Sequence, residues 1–234
     1  MENVPNMVLH VAPSTSTFQS GDHFILGSYQ GVLTIGELVE READKDAFTS
    51  FCTQVSVAIK NSSPSDAVVI DESQQVLYYS QVHINPKLTP IATIQVTKYR
   101  FLRINYESMV DWGTKTDLLR CNPKFWNCPR YDFVIANLPS QGQVFVQLVF
   151  LFMCHVGTSI HPLALVQVLD SCPRSGTVKD TDKKLSIYRW NLHARNRCEI
   201  IPIHSIVRGA VLIPDTRYAG DHFAVDTLDA DMFL

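Results

Sequence analysis

Segment 174–197 combines positive charge with aromatic side chains, as nucleic-acid-binding segments often do. Seven of its residues are cationic against two aspartates, on a chain whose net charge is −3. The cations are Arg174, Lys179, Lys183, Lys184, Arg189, Arg195 and Arg197. Basic side chains can follow a phosphate backbone, and rings such as Tyr188, Trp190 and His193 can stack on bases. We therefore expect a surface for DNA, RNA or a chromatin protein. The alternative is a solvated loop beside a strand whose Tyr188 and Trp190 face the core.

Four aspartates near the C-terminus offer a different chemistry. They are Asp221, Asp226, Asp229 and Asp231. On a strand, Asp229 and Asp231 would lie on one face, and paired carboxylates can hold Mg²⁺ for phosphoryl chemistry. The rival hypothesis is thus a metal-dependent nuclease or hydrolase using Asp226, Asp229 and Asp231. No third ligand is identifiable elsewhere in the sequence, so a solvated acidic turn is the simpler interpretation.

Cysteine and histidine spacing does not favour a zinc site. Cys121, Cys128, His193 and Cys198 could supply four ligands, but the two cysteines are separated by six residues instead of two to four. The sequence also lacks the Gly-x-Ser-x-Gly nucleophile motif and the glycine-rich phosphate-binding patterns. We therefore predict no catalytic residue, no metal and no cofactor.

Composition indicates a folded intracellular protein. Of 234 residues, 46% are hydrophobic and only 18% are charged, which is unlike a disordered chain. The six cysteines are scattered and the start "MENVPNMVLH" has no signal-peptide pattern, so we expect a reducing compartment. Contact with chromatin would place the protein in the nucleus. Oligomeric state and partner identity do not follow from composition.

The run "QVFVQLVFLFMCHV", residues 143–156, is the most apolar stretch. It is too short for a transmembrane helix, which needs about 20 apolar residues. Every even position from Val144 to Cys154 is apolar, so we predict a long buried strand. Its length predicts a bend or bulge partway, and Gln147 and His155 should find polar partners.

Helical patterns are confined to the first third of the chain. Thr34 followed by Glu37 is a capping box that starts a helix. An apolar stripe then predicts an amphipathic helix through Phe48, Phe51, Cys52, Val55 and Ile59. The acidic stretch "EREADKD" between them is interpreted as a solvated face or kink, and "AVVID" with "QVLYY" as a hairpin.

The later sequence shows strand after strand with hairpin-sized turns. We predict an α+β fold with a helical N-terminal part followed by a mostly antiparallel β-barrel. The expected organisation is a disordered tail over 1–22, an α+β part over 23–118 and the barrel over 119–234. The strand pattern with a basic loop resembles SH3-like or bromo-adjacent-homology barrels at the level of the fold.

Several motifs over about residues 95–234 resemble one protein family. The most specific are "NYESMVDW", "DLLRCNP", "RYDFV", "SIVRGA" and "DADMFL". In this order they resemble the C-terminal region of Plavaka/KDZ-like proteins encoded by fungal DNA transposons. In that family the chemistry belongs to an upstream RNase-H-like core with no equivalent here, so the resemblance implies a non-catalytic module. A relic fragment without retained function is a further alternative.

Overall fold

The computed structural model describes most of the chain. The described residues are 18–20, 23–62, 68–70, 75–78, 87–108, 110–139, 141–157, 159–172, 180–182, 184–185, 187–192 and 197–225. The α-helices α1 (Ile35–Arg41) and α2 (Phe51–Ser62) lie among them, and residues 180–182 and 184 are helical as well. Short 3-10 helices cover Asp46–Phe48, Ile91–Thr93 and Ile203–Ser205. The described strands, in chain order, are β1 (Phe18–Ser20), β2 (Phe24–Thr34), β3 (Val68–Ile70), β4 (Gln75–Tyr78), β5 (Lys87–Pro90), β6 (Gln95–Glu107), β7 (Thr114–Phe125), β8 (Cys128–Tyr131), β9 (Phe133–Leu138), β10 (Gly142–Val156), β11 (Ser159–Val168), β12 (Asp170–Ser171), β13 (Ile187–Asn191), β14 (Cys198–Pro202), β15 (Ile206–Ala210), β16 (Ile213–Pro214) and β17 (Asp221–Val225).

A ten-stranded antiparallel sheet dominates the fold, and it divides where β6 meets β10. The continuous path is β1-β2-β6-β10-β11-β14. β6 pairs with β10 from Gln95 to Tyr99 and with β7 from Phe101 onward. On the same edge, β10 pairs with β9 up to Gln147 and with β6 from Leu151. The two strands therefore separate at this point, which we call the fork.

Beyond the fork the sheet curls into a half-barrel around a single apolar core. β9 pairs with β15, and β15 lies against β7. The backbone N–H of Gly209 on β15 donates to Asp117 Oδ2 on β7 at 2.8 Å. A Cβ on Gly209 would lie 2.8 Å from Leu119, so only glycine permits this approach without a shift. We call this β7–β15 contact the seam.

The predicted long strand is β10, and the predicted bulge is confirmed. Its register against β11 shifts between Leu148 and Phe150. Before the shift, Val146 and Leu148 lie in the half-barrel core; after it, Leu151 and Met153 lie there. The extra residue at the bulge moves the even-numbered side chains to the other face of the sheet. Phe152 and Cys154 therefore pack beneath the helices. No helix within the described ranges has the length and hydropathy needed to cross a membrane.

The helices cover the outer face of β10 and β11. The capping box of α1 is confirmed, because Glu37 N–H donates to Thr34 Oγ1 and Thr34 N–H donates to Glu37 Oε2 at 2.8 Å. The predicted stripe is confirmed on α2 for Phe51, Val55 and Ile59, which are buried, whereas Phe48 lies in the preceding 3-10 helix. The Phe51 ring lies 5.4 Å from that of Phe152, which ties α2 to the sheet.

A four-stranded sheet, β12-β13-β17-β16, packs on the half-barrel near β9 and the start of β10. Trp190 of β13 contacts Phe145 of β10, with ring centroids 4.9 Å apart. A third sheet, β3-β4-β5, contains the predicted hairpin as β3 and β4. The mostly antiparallel α+β prediction is therefore confirmed at this level.

The predicted division of the chain cuts through continuous structure. The boundary between residues 118 and 119 falls within β7. The preceding strands β2 and β6 belong to the same sheet as β9, β10 and β15. Phe18–Ser20, inside the predicted tail, pairs with β2, whereas residues 1–17, 21 and 22 lie outside the described residues. One sheet thus spans both predicted parts.

Candidate anion-binding surface

Arg189 of the predicted basic segment is held inside the molecule by two carboxylates. Its Nε and Nη2 donate to Asp182 at 2.5 and 3.0 Å, and its Nη1 donates to Asp215. Only 10% of the Arg189 side chain is exposed. The hydrogen bonds that Arg189 donates to Asp182, and after them the one to Asp215, raise the pKa of Arg189 above its ordinary value. This arginine, with its two aspartates, forms a partly buried clamp that joins β13 to its flanking segments.

The other residues predicted in this segment are not brought into one cluster by the described structure. Lys184 is exposed. Arg197 pairs with Glu199 at 2.9 Å and donates to Gln141 at 2.9 Å. Arg174, Lys179, Lys183 and Arg195 lie outside the described residues. Nucleic-acid binding by segment 174–197 therefore stays a prediction.

The candidate zinc and magnesium ligands are likewise only partly described. His193, Asp226, Asp229 and Asp231 lie outside the described residues. Asp221 is 3% exposed and accepts a hydrogen bond from Asn191 at 2.6 Å. All six cysteines are free. Within the described ranges, no group of three or more His, Cys, Asp or Glu side chains is arranged to hold a metal ion.

The β7–β8 hairpin presents an aromatic ring that the sequence analysis did not single out. Trp126 at its tip is 86% exposed. Trp126 and Asn127 have φ of 48° and 65°, the left-handed pair of a type I′ turn. A tryptophan in this region is disfavoured by about 1 kcal/mol or more. Backbone strain combined with an exposed ring marks this tip as a candidate contact.

Cations surround the base of the same tip. The Phe125 ring lies between two guanidinium groups, with Arg120 Cζ at 4.6 Å and Arg130 Cζ at 5.2 Å from its centroid. Lys124 is exposed. Asp132 pairs with Arg130 at 2.8 Å. The hairpin therefore has three cations, two aromatic rings and one carboxylate close to it.

A cavity of about 420 Å³ lies at the fork, next to this hairpin. We call it the fork pocket. Its cations are Lys45, Lys98 and Arg100, of which Lys45 pairs with Glu42. Among the described carboxylates, none lies within ion-pair distance of Lys98 or Arg100. Glu42 also lines the fork pocket, so three cations face one carboxylate, and this excess of positive charge favours an anion.

Burial shifts the pKa of three titratable groups in the fork pocket. Burial raises the pKa of the Cys121 thiol to about 12, so it is protonated at neutral pH. Burial, and next the nearby Cys121, raises the pKa of Tyr131. Burial lowers the pKa of Lys98, which lies 5.4 Å from the Phe150 ring centroid. The lining thus presents cations, amides and rings to a ligand.

Four of the five stretches that carry the family resemblance lie at or near the seam, and the fifth, "DADMFL", lies outside the described residues. Tyr106 of "NYESMVDW" lies under Arg208 of "SIVRGA", with Cζ 4.4 Å from the ring centroid. Asp117 of "DLLRCNP" accepts the Gly209 N–H already described. Asp132 of "RYDFV" accepts the Arg120 N–H at 2.7 Å. Within the described structure, these motif residues serve to close the half-barrel.

Comparisons with known proteins give no identification. No protein-family model matches the chain. No curated protein and no solved structure matches it either. The function must therefore be argued from the geometry of this chain.

Proposed function

We propose that the chain is a non-catalytic module that binds single-stranded nucleic acid through the β7–β8 hairpin. The observation that carries this proposal is Trp126, 86% exposed on a strained turn, beside the arginine pair that stacks on Phe125. An exposed ring can stack on an unpaired base, and adjacent cations neutralise its phosphates. Since bases in a duplex are already stacked, a single strand is the better partner.

The predicted basic segment fits this proposal as a second contact. Lys184 is exposed, and the cations outside the described residues add to the charge expected there. Contact with chromatin and a nuclear location would follow from nucleic-acid binding. The finer assignments, a barrel of SH3 or bromo-adjacent-homology type and an origin in Plavaka/KDZ-like transposons, rest on the motif resemblance and on the curled antiparallel sheet.

The test is a titration of fluorescent oligo(dT) with the full chain at low and moderate salt. Trp126→Ala should weaken binding by about 1–3 kcal/mol, the usual contribution of one stacked base. Trp112→Ala is the matched control, because Trp112 is also exposed, at 68%, but lies in the β6–β7 turn. Lys124→Glu should also weaken binding, because it replaces a cation next to Trp126 with an anion. Lys60→Glu on α2 makes the same charge change away from the hairpin and is its control.

Each outcome of this titration has a definite meaning. Binding that is lost with Trp126→Ala and kept with Trp112→Ala supports the proposal. Equal binding by all four variants and the parent chain overturns it, as does absence of binding at low salt. Tighter binding to a duplex of the same length would overturn the preference for single strands.

A further inference from the structure

The fork pocket exists because two strands change partners at the same place. The β6–β10 ladder stops at the Tyr99–Leu151 pair, and the β6–β7 ladder starts at Phe101–Arg120. Arg100 is the residue between the two ladders. On β10 the bulge between Leu148 and Phe150 lies in the corresponding gap. A fork with a bulge opposite it leaves room that a regular sheet would fill.

Local hydrogen bonds fix the geometry of this gap. Leu148 N–H donates to the Asp132 carbonyl at 3.0 Å. Gln147 Nε2 donates to the Tyr131 carbonyl at 3.3 Å. These bonds tie β10 to the segment that follows β8, so the gap is a built feature of the hairpin base. At about 420 Å³ it lies within the usual range of small-molecule sites.

The lining combines positive charge with aromatic walls. Lys98 and Arg100 supply the charge, and the partly buried Tyr131 and Phe150 supply the rings. Burial removes water from the Lys98 ammonium and so lowers its pKa. A bound anion would compensate the ammonium for that lost hydration. Flat rings beside cations suit a ligand that has both an aromatic base and a phosphate.

The fork pocket is continuous with the proposed strand-binding hairpin. Pro123 of β7 and Tyr131 of β8 line it, and they lie on either side of the Phe125–Trp126 tip. A strand stacked on Trp126 would therefore pass close to the mouth of the fork pocket. A nucleotide of a strand bound at the hairpin could thus enter the fork pocket.

We propose that the fork pocket binds one nucleotide of the strand held by the hairpin, with the phosphate at Lys98 and Arg100 and the base against the aromatic wall. This inference rests on the proposed function for the source of the nucleotide. It predicts that a free nucleotide binds the fork pocket independently of Trp126.

The test uses isothermal titration calorimetry of the full chain with thymidine 5′-monophosphate, thymidine and inorganic phosphate. Replacing either cation, Lys98→Gln or Arg100→Gln, should weaken thymidine monophosphate binding about tenfold, the usual effect of losing a charged hydrogen bond. Arg103→Gln is the matched control, since Arg103 is exposed on the same strand and does not line the fork pocket. Trp126→Ala should leave thymidine monophosphate binding within about twofold.

The outcomes separate this inference from the proposed function. Thymidine monophosphate binding that falls with either pocket variant and not with Arg103→Gln supports the fork pocket. No binding, or binding indifferent to both pocket variants, overturns it. Binding of phosphate as tight as that of thymidine monophosphate overturns the base contact.

Two further combinations distinguish the two sites. If oligo(dT) binding depends on Trp126 but is unchanged in Lys98→Gln and Arg100→Gln, the fork-pocket inference is wrong and the proposed function stands. If oligo(dT) does not bind but thymidine monophosphate binds through Lys98 or Arg100, the proposed function fails and the pocket is a site for a free nucleotide. Circular dichroism melting checks that each variant is folded. If Arg100→Gln is unfolded, thymidine monophosphate binding by Lys98→Gln tests the fork pocket.

Discussion

The Arg189 clamp and the β7–β8 hairpin use arginine in opposite ways. Arg189 is 10% exposed and bound by two carboxylates, so its charge is neutralised within the fold. Arg120 and Arg130 instead stack on Phe125 beside an 86% exposed tryptophan. The first arrangement stabilises a domain layer, and the second presents charge outward.

This difference shows what a local charge count omits. Segment 174–197 has more cations than the hairpin, yet one of its described cations is internal and another is paired with Glu199. Pairing with a carboxylate does not by itself separate the two regions, because Asp132 pairs with Arg130 of the hairpin. The exposed Trp126 and Lys124 beside the hairpin arginines do separate them. The following experiments test this contrast, from the largest expected effect to the smallest.

Removing the guanidinium of the clamp should cause the largest loss of stability. Arg189→Met leaves Asp182 and Asp215 with an uncompensated buried charge, and we expect the free energy of unfolding to fall by about 3 kcal/mol. Urea denaturation followed by circular dichroism measures it. Lys184→Met, at an exposed site nearby, should change stability by no more than about 0.5 kcal/mol. A loss below about 1 kcal/mol in Arg189→Met would show that the clamp is not structural.

Salt dependence should separate the hairpin from the clamp in binding. Lys124→Gln should reduce the slope of log K against log salt for oligo(dT) by about 0.7, the value for one phosphate contact on a single strand. Arg189→Lys should leave the slope unchanged, because an internal cation releases no counterion. Titrations at four salt concentrations give both slopes. A reduced slope in Lys184→Gln as well would mean that segment 174–197 also contacts the oligonucleotide. A reduced slope in Lys184→Gln but not in Lys124→Gln would mean that this segment, and not the hairpin, binds it.

Acid should weaken the clamp in a defined direction. The Arg217 backbone N–H, 2.9 Å away, and then Arg189 hold the pKa of Asp215 below its ordinary value. A carboxyl with a depressed folded pKa stabilises the fold above its unfolded pKa of about 3.9 and loses that contribution as pH falls through the folded pKa. The difference in Tm between the parent chain and Asp215→Asn should thus be present at pH 5–7 and shrink below about pH 4. A difference independent of pH would contradict this linkage.

Thiol reactivity should distinguish the outer part of the hairpin from its base without altering stability. Cys128 is exposed, whereas burial raises the pKa of Cys121 to about 12. Brief treatment with iodoacetamide at pH 8, followed by peptide mass mapping, should alkylate Cys128 and spare Cys121. The same treatment in denaturant should label both. Equal labelling of Cys121 and Cys128 in the folded protein would mean that the hairpin base opens.

Local sequence patterns predicted the elements whose cause is local. The Thr34–Glu37 capping box and the stripe of α2 depend on neighbours three and four residues away, and both are confirmed. The alternation in 143–156 predicted β10, and its length predicted the bulge. Gln147 and His155 have the predicted polar partners, the Tyr131 carbonyl and the Thr97 hydroxyl.

The candidate site was only partly visible in the sequence. The run "RCNPKFWNCPR" contains the hairpin's cations and aromatic rings within eleven residues, 120–130. That signal could have been found by the charge and aromatic criterion applied to 174–197. The fork pocket had no such signal, because Lys98, Tyr131 and Phe150 come from three separate strands.

By itself, then, the sequence determined where α1 starts, that β10 is a buried strand and that it bends or bulges partway. Tertiary structure decided which core each face of β10 enters, since one inserted residue sends the even-numbered Leu148 and Phe152 to different layers. It also decided that Arg189 is internal and that the hairpin cations surround an exposed ring. The physical reason is that exposure, ion pairing and pocket formation depend on residues distant in sequence that only the folded sheet brings together.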